Sequence, residues 1–470
     1  MTSTSASPRR RLTQVAPRLA LSAALTSTAL ASTALASTAG TPGGTLAGAA
    51  VGGGAPPAAL EWESCAEGPE DAVGTELDRA GAQCAEFAVP LDHSRPGGRT
   101  ITLALSRLPA TDRARRIGVM VLDNGGPGEP TLGMPLQVRA AMKDVSARYD
   151  LIGLDPRFVG RSTPLDCGWP IGMFLRSAGP TRDRFDHQVA VQCDLAERCA
   201  RRHADVLPYA NTRDTARDVD LVRRVLGERR ISFLGYSYGA YLGAVYTQMF
   251  PGRTDRVVLD SAGDPAKWAR APCKAPRTRR NAPCTAGRPG PPAARAAFAS
   301  TVRTLHQAAL DRPAEPGPEL DGLPGFVLTS AGSPLAGPAA AIACGDRVAP
   351  RDPDTYWRDV QRSRARHPLF GPLKNSIWPC AFWPTSPREH PTRVGNPTPA
   401  LIVSATGDIA TTYEGAMAMH RALTGSRLLT LRNATAHGIY GEYGSTCVDA
   451  KVNVYLATGT LPPANQSCTT

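Results

Sequence analysis

The sequence has few of the residue groupings that hold metal ions, and only eight of its 470 residues are histidine. Its eleven cysteines include no C-x-x-C pair, and no histidine cluster stands near them. A C-x-x-C pair and a nearby histidine cluster are the usual sequence signs of a zinc site. We therefore predict a protein without a bound metal, and nothing in the sequence calls for an organic cofactor.

The chain also lacks the motifs of nucleotide and nucleic-acid binding. Its glycine-rich run at 124–128 has no Lys-Ser or Lys-Thr ending, which a phosphate-binding P-loop requires. The formal net charge is +12, but the arginines are scattered apart from a cluster at 277–280 without interleaved aromatic residues. We interpret that cluster as a solvated loop and predict no nucleic-acid partner.

The first 36 residues contain no acidic side chain. An arginine-rich segment at 9–18 leads into small apolar residues at 19–35, which include A-x-A cleavage sites. Serine and threonine interrupt this stretch, which argues against a transmembrane anchor. The pattern predicts a cleaved signal peptide over 1–36, a flexible leader over 37–58, and a secreted protein without a stable membrane anchor.

Eleven cysteines in an exported protein predict disulfide bonds. Cysteines close in sequence predict four pairs: Cys65 with Cys84, Cys273 with Cys284, Cys344 with Cys380, and Cys447 with Cys468. Cys167, Cys193 and Cys199 then compete for one further bond, which would leave one free thiol.

The most informative motif is Gly235-Tyr236-Ser237-Tyr238-Gly239, which follows the apolar stretch 231–234 and precedes small residues at 240–244. Strand, then G-x-S-x-G, then helix is the nucleophile elbow of an α/β-hydrolase, in which the serine sits on a strained turn. The two glycines leave room for the neighbouring strand and helix. The motif predicts Ser237 as a nucleophile.

Apolar runs and helical stretches alternate along much of the chain. Buried strands are predicted at 117–122, 149–155, 257–260, 401–404 and 427–431, and helices at 215–226 and 414–423. This alternation predicts an α/β-hydrolase fold with a mainly parallel sheet. Weak periodicity and frequent proline at 266–375 predict an inserted cap between two parts of the core, 59–265 and 376–470.

A serine nucleophile needs a base to take its proton, and the base needs an acid to hold its tautomer. In this fold the three follow in the order Ser, Asp or Glu, then His. Asp408 and His437 come just after predicted strands, in loops where parallel sheets place their sites. We predict Asp408 as the acid and His437 as the base.

Each of these positions has an alternative role. Asp260 also ends a predicted strand and is a rival acid, although a structural role in a turn suits it better. Asp155 precedes the nucleophile and is predicted to stabilise a turn. Asp408 could instead be a helix N-cap, and His437 an ordinary loop histidine.

An oxyanion hole requires two backbone N–H groups aimed at the developing negative charge. One is predicted at Tyr238, the residue after the nucleophile. The other is predicted at Gly125 or Gly126, in the early loop Gly125-Gly126-Pro127-Gly128.

Several of these segments resemble one family. The run 124–128 is similar to the G-G-P-G loop of proline iminopeptidases, and 149–162 resembles a segment of secreted actinobacterial tripeptidyl aminopeptidases. The elbow and the block 378–468 fit the same family. The resemblance implies the roles above for Ser237, Asp408 and His437. It also implies release of di- or tripeptides from free N-termini, so the predicted partner is a peptide.

Departures from the family pattern lie near the predicted pocket. Phe158 stands where the family usually has glycine, and Glu129-Pro130 replaces a more glycine-rich continuation of the loop. Acidic residues hold the substrate ammonium in related aminopeptidases. Candidates here are Glu129, Glu315, Glu319 and Asp321. The alternatives to an aminopeptidase are an esterase with the same three residues and a catalytically weak binding protein.

Overall fold

A nine-stranded sheet forms the centre of the computed structural model, which describes residues 60–169, 181–269, 335–366, 372 and 375–470. Its strands are β1 Gln83–Pro90, β2 Thr100–Leu108, β3 Gly118–Asp123, β4 Tyr149–Leu154, β5 Ile231–Tyr236, β6 Thr254–Asp260, β7 Leu401–Ala405, β8 Arg427–Arg432 and β9 Gln466–Thr469. They lie in the order β1-β2-β4-β3-β5-β6-β7-β8-β9. The pairs β1–β2 and β2–β4 are antiparallel and the other pairs are parallel.

Helices connect the parallel strands, and a further helix precedes β1. They are α1 Ala72–Arg79, α2 Met134–Met142, α3 Arg182–His203, α4 Thr212–Val225, α5 Tyr238–Met249, α6 Pro265–Ala269, α7 Ala336–Asp346, α8 Pro353–Arg366, α9 Tyr413–Ala422 and α10 Thr446–Thr458. The predicted α/β-hydrolase fold with a mainly parallel sheet is confirmed.

The central strands are buried along their whole length and mostly apolar because both faces of the sheet are covered. All six residues of β3 are buried, as are all six of β5. Alternate residues of β3 point to opposite faces: Val119 and Val121 belong to one apolar core, and Met120 and Leu122 to the other. A parallel sheet buried on both faces therefore explains the continuous apolar runs in the sequence.

The register of the central strands brings three carboxyl ends together. Asp123 of β3 pairs with Gly235 of β5, and Tyr236 of β5 pairs with Asp260 of β6. The residues that follow these strands therefore leave the sheet at one edge, which is where an open parallel sheet places its site.

Four disulfides join described residues. Three predicted pairs are confirmed: Cys65–Cys84, Cys344–Cys380 and Cys447–Cys468. Of the three competing cysteines, Cys167 pairs with Cys199. Cys193 is disulfide-bonded as well. The prediction that one of these three is a free thiol is therefore wrong. The predicted pair Cys273–Cys284 lies outside the described residues.

Only part of the predicted cap, 266–375, falls within the described residues. Helix α7 belongs to that part, and all eleven of its residues are buried. It lies against the glycine-rich loop, since a Cβ added to Gly128 would be 2.8 Å from the Ala339 nitrogen. The predicted signal peptide and leader lie outside the described residues. No helix in the described ranges is long and apolar enough to cross a membrane.

Candidate active site

Ser237 occupies a strained turn between β5 and α5. Its backbone angles are φ 54° and ψ −114°, a conformation that costs a residue with a side chain about 1–3 kcal/mol. The turn is held from β6, because the Ser237 N–H donates to the Asp260 carbonyl at 2.9 Å. A Cβ on Gly239 would lie 2.6 Å from Asp123 Oδ1. Glycine at that position lets helix α5 approach the end of β3.

Asp408 and His437 meet across the loops that follow β7 and β8. His437 Nδ1 lies 2.9 Å from Asp408 Oδ2 and 3.2 Å from Oδ1. The Asp408 side chain is fully buried, whereas that of His437 is 35% exposed. A carboxylate at Nδ1 holds the imidazole in one tautomer and leaves Nε2 to exchange a proton with a nucleophile.

Asp408 is oriented by the turn that follows it. Its Oδ1 accepts the N–H groups of Ala410 and Thr411 at 2.8 and 3.0 Å. These contacts resemble an N-cap, but helix α9 begins only at Tyr413 and Thr412 is its cap. The alternative role of Asp408 as a helix cap is therefore absent.

Thr411 contacts both Asp408 and His437, which the sequence did not predict. Its hydroxyl donates to Asp408 Oδ2 at 2.9 Å and lies 3.3 Å from His437 Nδ1. Thr411 therefore contacts both members of the pair and fixes the second carboxylate oxygen. A hydroxyl three residues after a strand-end aspartate is the sequence sign that could have identified it.

Asp260, the rival acid, holds the loop that carries His437. Its carboxylate accepts the N–H of Ile439 at 3.2 Å and that of Tyr440 at 2.7 Å. The neighbouring Ser261 hydroxyl accepts the N–H of Gly438 at 2.8 Å. Burial raises the pKa of Asp260 to about 6. Asp260 thus has the structural role that suited it better, and Asp408 is the carboxylate at His437 Nδ1.

Asp155 stabilises a turn, as predicted. Its carboxylate accepts backbone N–H groups of Thr131 at 2.6 Å and of Arg161 at 2.8 Å. Within that turn, Phe158 has a φ of 71°, in the left-handed region that favours glycine. Its ring is buried in the core, so phenylalanine occupies a backbone conformation for which the family's glycine is better suited.

The glycine-rich loop after β3 packs against the turn at Ser237. A Cβ added to Gly125 would lie 3.1 Å from the Tyr238 nitrogen, so the loop is close to the start of α5. The Gly125 N–H donates to Asp123 Oδ1 at 3.0 Å. Since that N–H is engaged, Gly126 is the better candidate of the two predicted glycines. The Tyr238 N–H, at the first position of α5, has no acceptor within its helix.

Of the predicted ligands for the substrate ammonium, Glu129 lies within the described residues. Glu129 lies beside the loop, and its Cγ would be 2.9 Å from a Cβ added to Gly126. Burial raises the pKa of Glu129. Glu315 and Glu319 lie outside the described residues, as does Asp321.

An aromatic cluster adjoins Ser237, and the sequence did not predict it. The ring of Tyr238 lies 5.4 Å from that of Trp268, and Tyr241 lies 5.3 Å from the same ring. Asp346, at the end of α7, accepts from Trp268 Nε1 at 2.8 Å and from the Thr212 hydroxyl at 2.6 Å. Through Tyr238, the residue that follows Ser237, these contacts join α5 to α4, α6 and α7.

The strand order, the strained serine after β5 and the aspartate–histidine pair after β7 and β8 place the protein in the α/β-hydrolase class. Residues 368–468 match the family model described as TAP-like protein. Tripeptidyl aminopeptidase of Streptomyces lividans is 31% identical, over 87% of this chain and 87% of that protein. The chain belongs to this tripeptidyl aminopeptidase-like family.

Two mycobacterial proteins illustrate the range of names among the relatives. Serine protease Hip1 of Mycobacterium tuberculosis is 30% identical over 87% of this chain and 91% of its own length. Carboxylesterase B of Mycobacterium tuberculosis is 29% identical over 87% of this chain and 89% of its own.

Proposed function

We propose that this protein is a secreted serine hydrolase that removes di- or tripeptides from free N-termini through an acyl-enzyme. The main support is the contact of His437 Nδ1 with the buried Asp408 carboxylate at 2.9 Å, in a chain whose elbow serine precedes both. Membership of a family that includes a tripeptidyl aminopeptidase favours a peptide substrate.

Ser237 Oγ attacks the scissile carbonyl while His437 Nε2 takes its proton. Asp408 keeps the other ring nitrogen protonated and stabilises the imidazolium that forms. The N–H groups of Tyr238 and Gly126 receive the developing oxyanion. His437 then protonates the leaving amine, and water releases the peptide from the acyl-enzyme by the same route in reverse.

Glu129 supplies the carboxylate for the substrate ammonium in this proposal. It is partly buried beside Gly126, and burial raises its pKa. A nearby cation, such as the substrate ammonium, stabilises the ionised form of a partly buried carboxyl, because an opposite charge favours that form. Glu129→Gln should therefore raise KM for a free-amine peptide and leave turnover of an uncharged ester unchanged.

Disulfides among the described residues support secretion, because such bonds persist in oxidising compartments. The signal peptide over 1–36 is the proposed route. N-terminal sequencing of protein from culture medium should find a new terminus near residue 37. Protein retained in the cell with its original terminus would contradict this.

The deciding assay compares three substrates: a chromogenic tripeptide with a free N-terminus, its N-acetylated form, and a p-nitrophenyl ester. Cleavage of the free peptide alone supports the aminopeptidase. Cleavage of the ester alone supports an esterase, which the carboxylesterase-named relative favours as the second candidate. Ser237→Ala is the control and should abolish turnover of every substrate. Biological function that survives in this variant would favour a binding protein.

A further inference from the structure

A buried carboxyl group lies beneath the loop proposed to hold the oxyanion. Asp123 is the last residue of β3 and is 3% exposed. Its Oδ1 accepts the Gly125 N–H at 3.0 Å. The same oxygen lies against Gly239, the second residue of helix α5, where an added Cβ would be 2.6 Å away. Asp123 therefore contacts both backbone segments that frame the predicted oxyanion hole.

No cation balances this carboxyl within the described residues. None of the ion pairs of that part of the chain includes Asp123, and the one charged group that acts on it is the negative Asp155. Burial, reinforced by Asp155, raises the pKa of Asp123 to about 7. The group therefore changes its charge in the range where a serine hydrolase works.

We propose that Asp123 is a positioning residue of the oxyanion loop, and that acyl transfer is fast when its side chain is neutral and slow when it is ionised. This inference rests on the proposed serine hydrolase. It adds a group that controls the pH dependence of that reaction.

The contact with Gly125 is present in both forms, although it is stronger to the carboxylate and so lowers the pKa of Asp123 against the larger effect of burial. The carbonyl oxygen of a protonated carboxyl accepts an N–H group as a carboxylate does, so the loop keeps its anchor in both forms. What changes is the electrostatic field. In the transition state, negative charge develops between the N–H groups of Gly126 and Tyr238, and an ionised Asp123 adjacent to that loop repels it.

The rate of acyl transfer should therefore fall at alkaline pH, as Asp123 ionises through its raised pKa of about 7. An amine-bearing substrate would add its own titration, so the reaction that isolates Asp123 uses an uncharged reagent.

Other titratable groups approach Asp123 from several elements. Tyr236 ends β5 and Tyr238 begins α5, and burial raises the pKa of both phenols well above the ordinary value, so they stay neutral. Asp155 follows β4, and burial raises its pKa too. Glu129, on the same loop, is the rival source of an alkaline limb because burial also raises its pKa.

The test measures the rate of acylation of the mature protein by p-nitrophenyl acetate, and its labelling by a fluorophosphonate, from about pH 6 to about pH 9. Four proteins are compared: wild type, Asp123→Asn, Glu129→Gln and Asp166→Asn. Asparagine at 123 keeps an acceptor for Gly125 but does not titrate. Asp166 is the matched control, because its Oδ1 accepts the N–H of Gly168, also two residues on, in an exposed loop.

Wild type should lose about tenfold in rate between pH 7 and pH 9, a moderate fraction of what a missing oxyanion donor costs. Asp123→Asn should abolish that fall, while Glu129→Gln and Asp166→Asn keep it. A fall that persists in Asp123→Asn, or that disappears only in Glu129→Gln, overturns the inference.

Wild-type protein decides the matter even if Asp123→Asn does not fold. Labelling at Ser237 with a level rate above pH 7 overturns this inference and leaves the proposed hydrolase intact. Failure of Ser237 to react with either reagent overturns the proposed function, and this inference with it.

Discussion

Replacing Asp260 by alanine should loosen the loop that carries His437 while leaving the Asp408–His437 pair chemically complete. The substitution removes the acceptor of the Ile439 and Tyr440 N–H groups. Both residues are fully buried, so water does not readily replace the carboxylate. Each buried N–H left without an acceptor costs about 1–3 kcal/mol, which gives a loss of about 2–6 kcal/mol in the free energy of unfolding.

The effect of this substitution on stability should also depend on pH. The pKa of Asp260 is raised to about 6 in the folded protein, from an ordinary 3.8. A carboxyl whose pKa is raised by folding ionises at a lower pH in the unfolded chain than in the folded protein. Its contribution to stability is therefore full below about pH 4 and is lost as pH rises through about 6. Alanine at this position should therefore be more destabilising at pH 5 than at pH 7, by about 1 kcal/mol.

Urea unfolding at both pH values measures the stability, and p-nitrophenyl ester turnover measures the chemistry. We expect kcat to fall by about 10²-fold through displacement of the imidazole. Asp408→Ala is the contrasting variant. It should lose about 10⁴-fold in kcat because the tautomer is no longer held. Ser261→Ala removes the acceptor of only one N–H group of the same loop, that of Gly438, and should give a smaller loss of stability.

Two results would refute the role assigned to Asp260. One is an Asp260→Ala protein with wild-type kcat and stability, which would mean that the loop does not need these hydrogen bonds. The other is a loss of kcat as large as that of Asp408→Ala with unchanged stability. That result would make Asp260 the catalytic acid.

Three further changes test other parts of the structure. Thr411→Val should lower kcat by about tenfold without changing KM, because one hydroxyl contact to the carboxylate is lost; Thr411→Ser should restore the rate, and equal rates in both variants would contradict this. Gly239→Ala should abolish esterase and peptidase turnover because its Cβ meets Asp123, whereas Gly227→Ala, with no atom within 4 Å but φ 72°, should lose only some stability. Paired serine substitutions of Cys447 and Cys468, separated by 21 residues, should lower the free energy of unfolding by about 3 kcal/mol in calorimetry, and an unchanged Tm would argue against a stabilising bond.

The elements nearest Ser237 could be predicted because each is local in the sequence. An apolar run, two glycines and a serine suffice to predict a strand, a turn and a helix, and the structure has β5, Ser237 and α5 in those places. Asp408 and His437 were predicted as acid and base from the chain order that this fold imposes. In the structure, Asp408 and His437 are in contact although 29 residues separate them.

Other contacts were beyond the sequence because they join segments far apart. Thr212 and Asp346 are 134 residues apart and form two hydrogen bonds. No periodicity or motif indicates such a pair. The choice of Cys199 as the partner of Cys167 likewise depends on how helix α3 lies against the end of the 155–169 segment, and spacing alone left that choice open.

Helix α7 limits how the region before the C-terminal part of the core can be exchanged. The sequence assigned it to an inserted cap, yet every residue of α7 is buried and Ala339 supports the loop at Gly128. A chimera designed to borrow the substrate range of a relative would therefore need to keep residues 335–346 as part of the recipient. The transplanted segment should end before them, because these residues belong to the buried core as well as to the predicted cap.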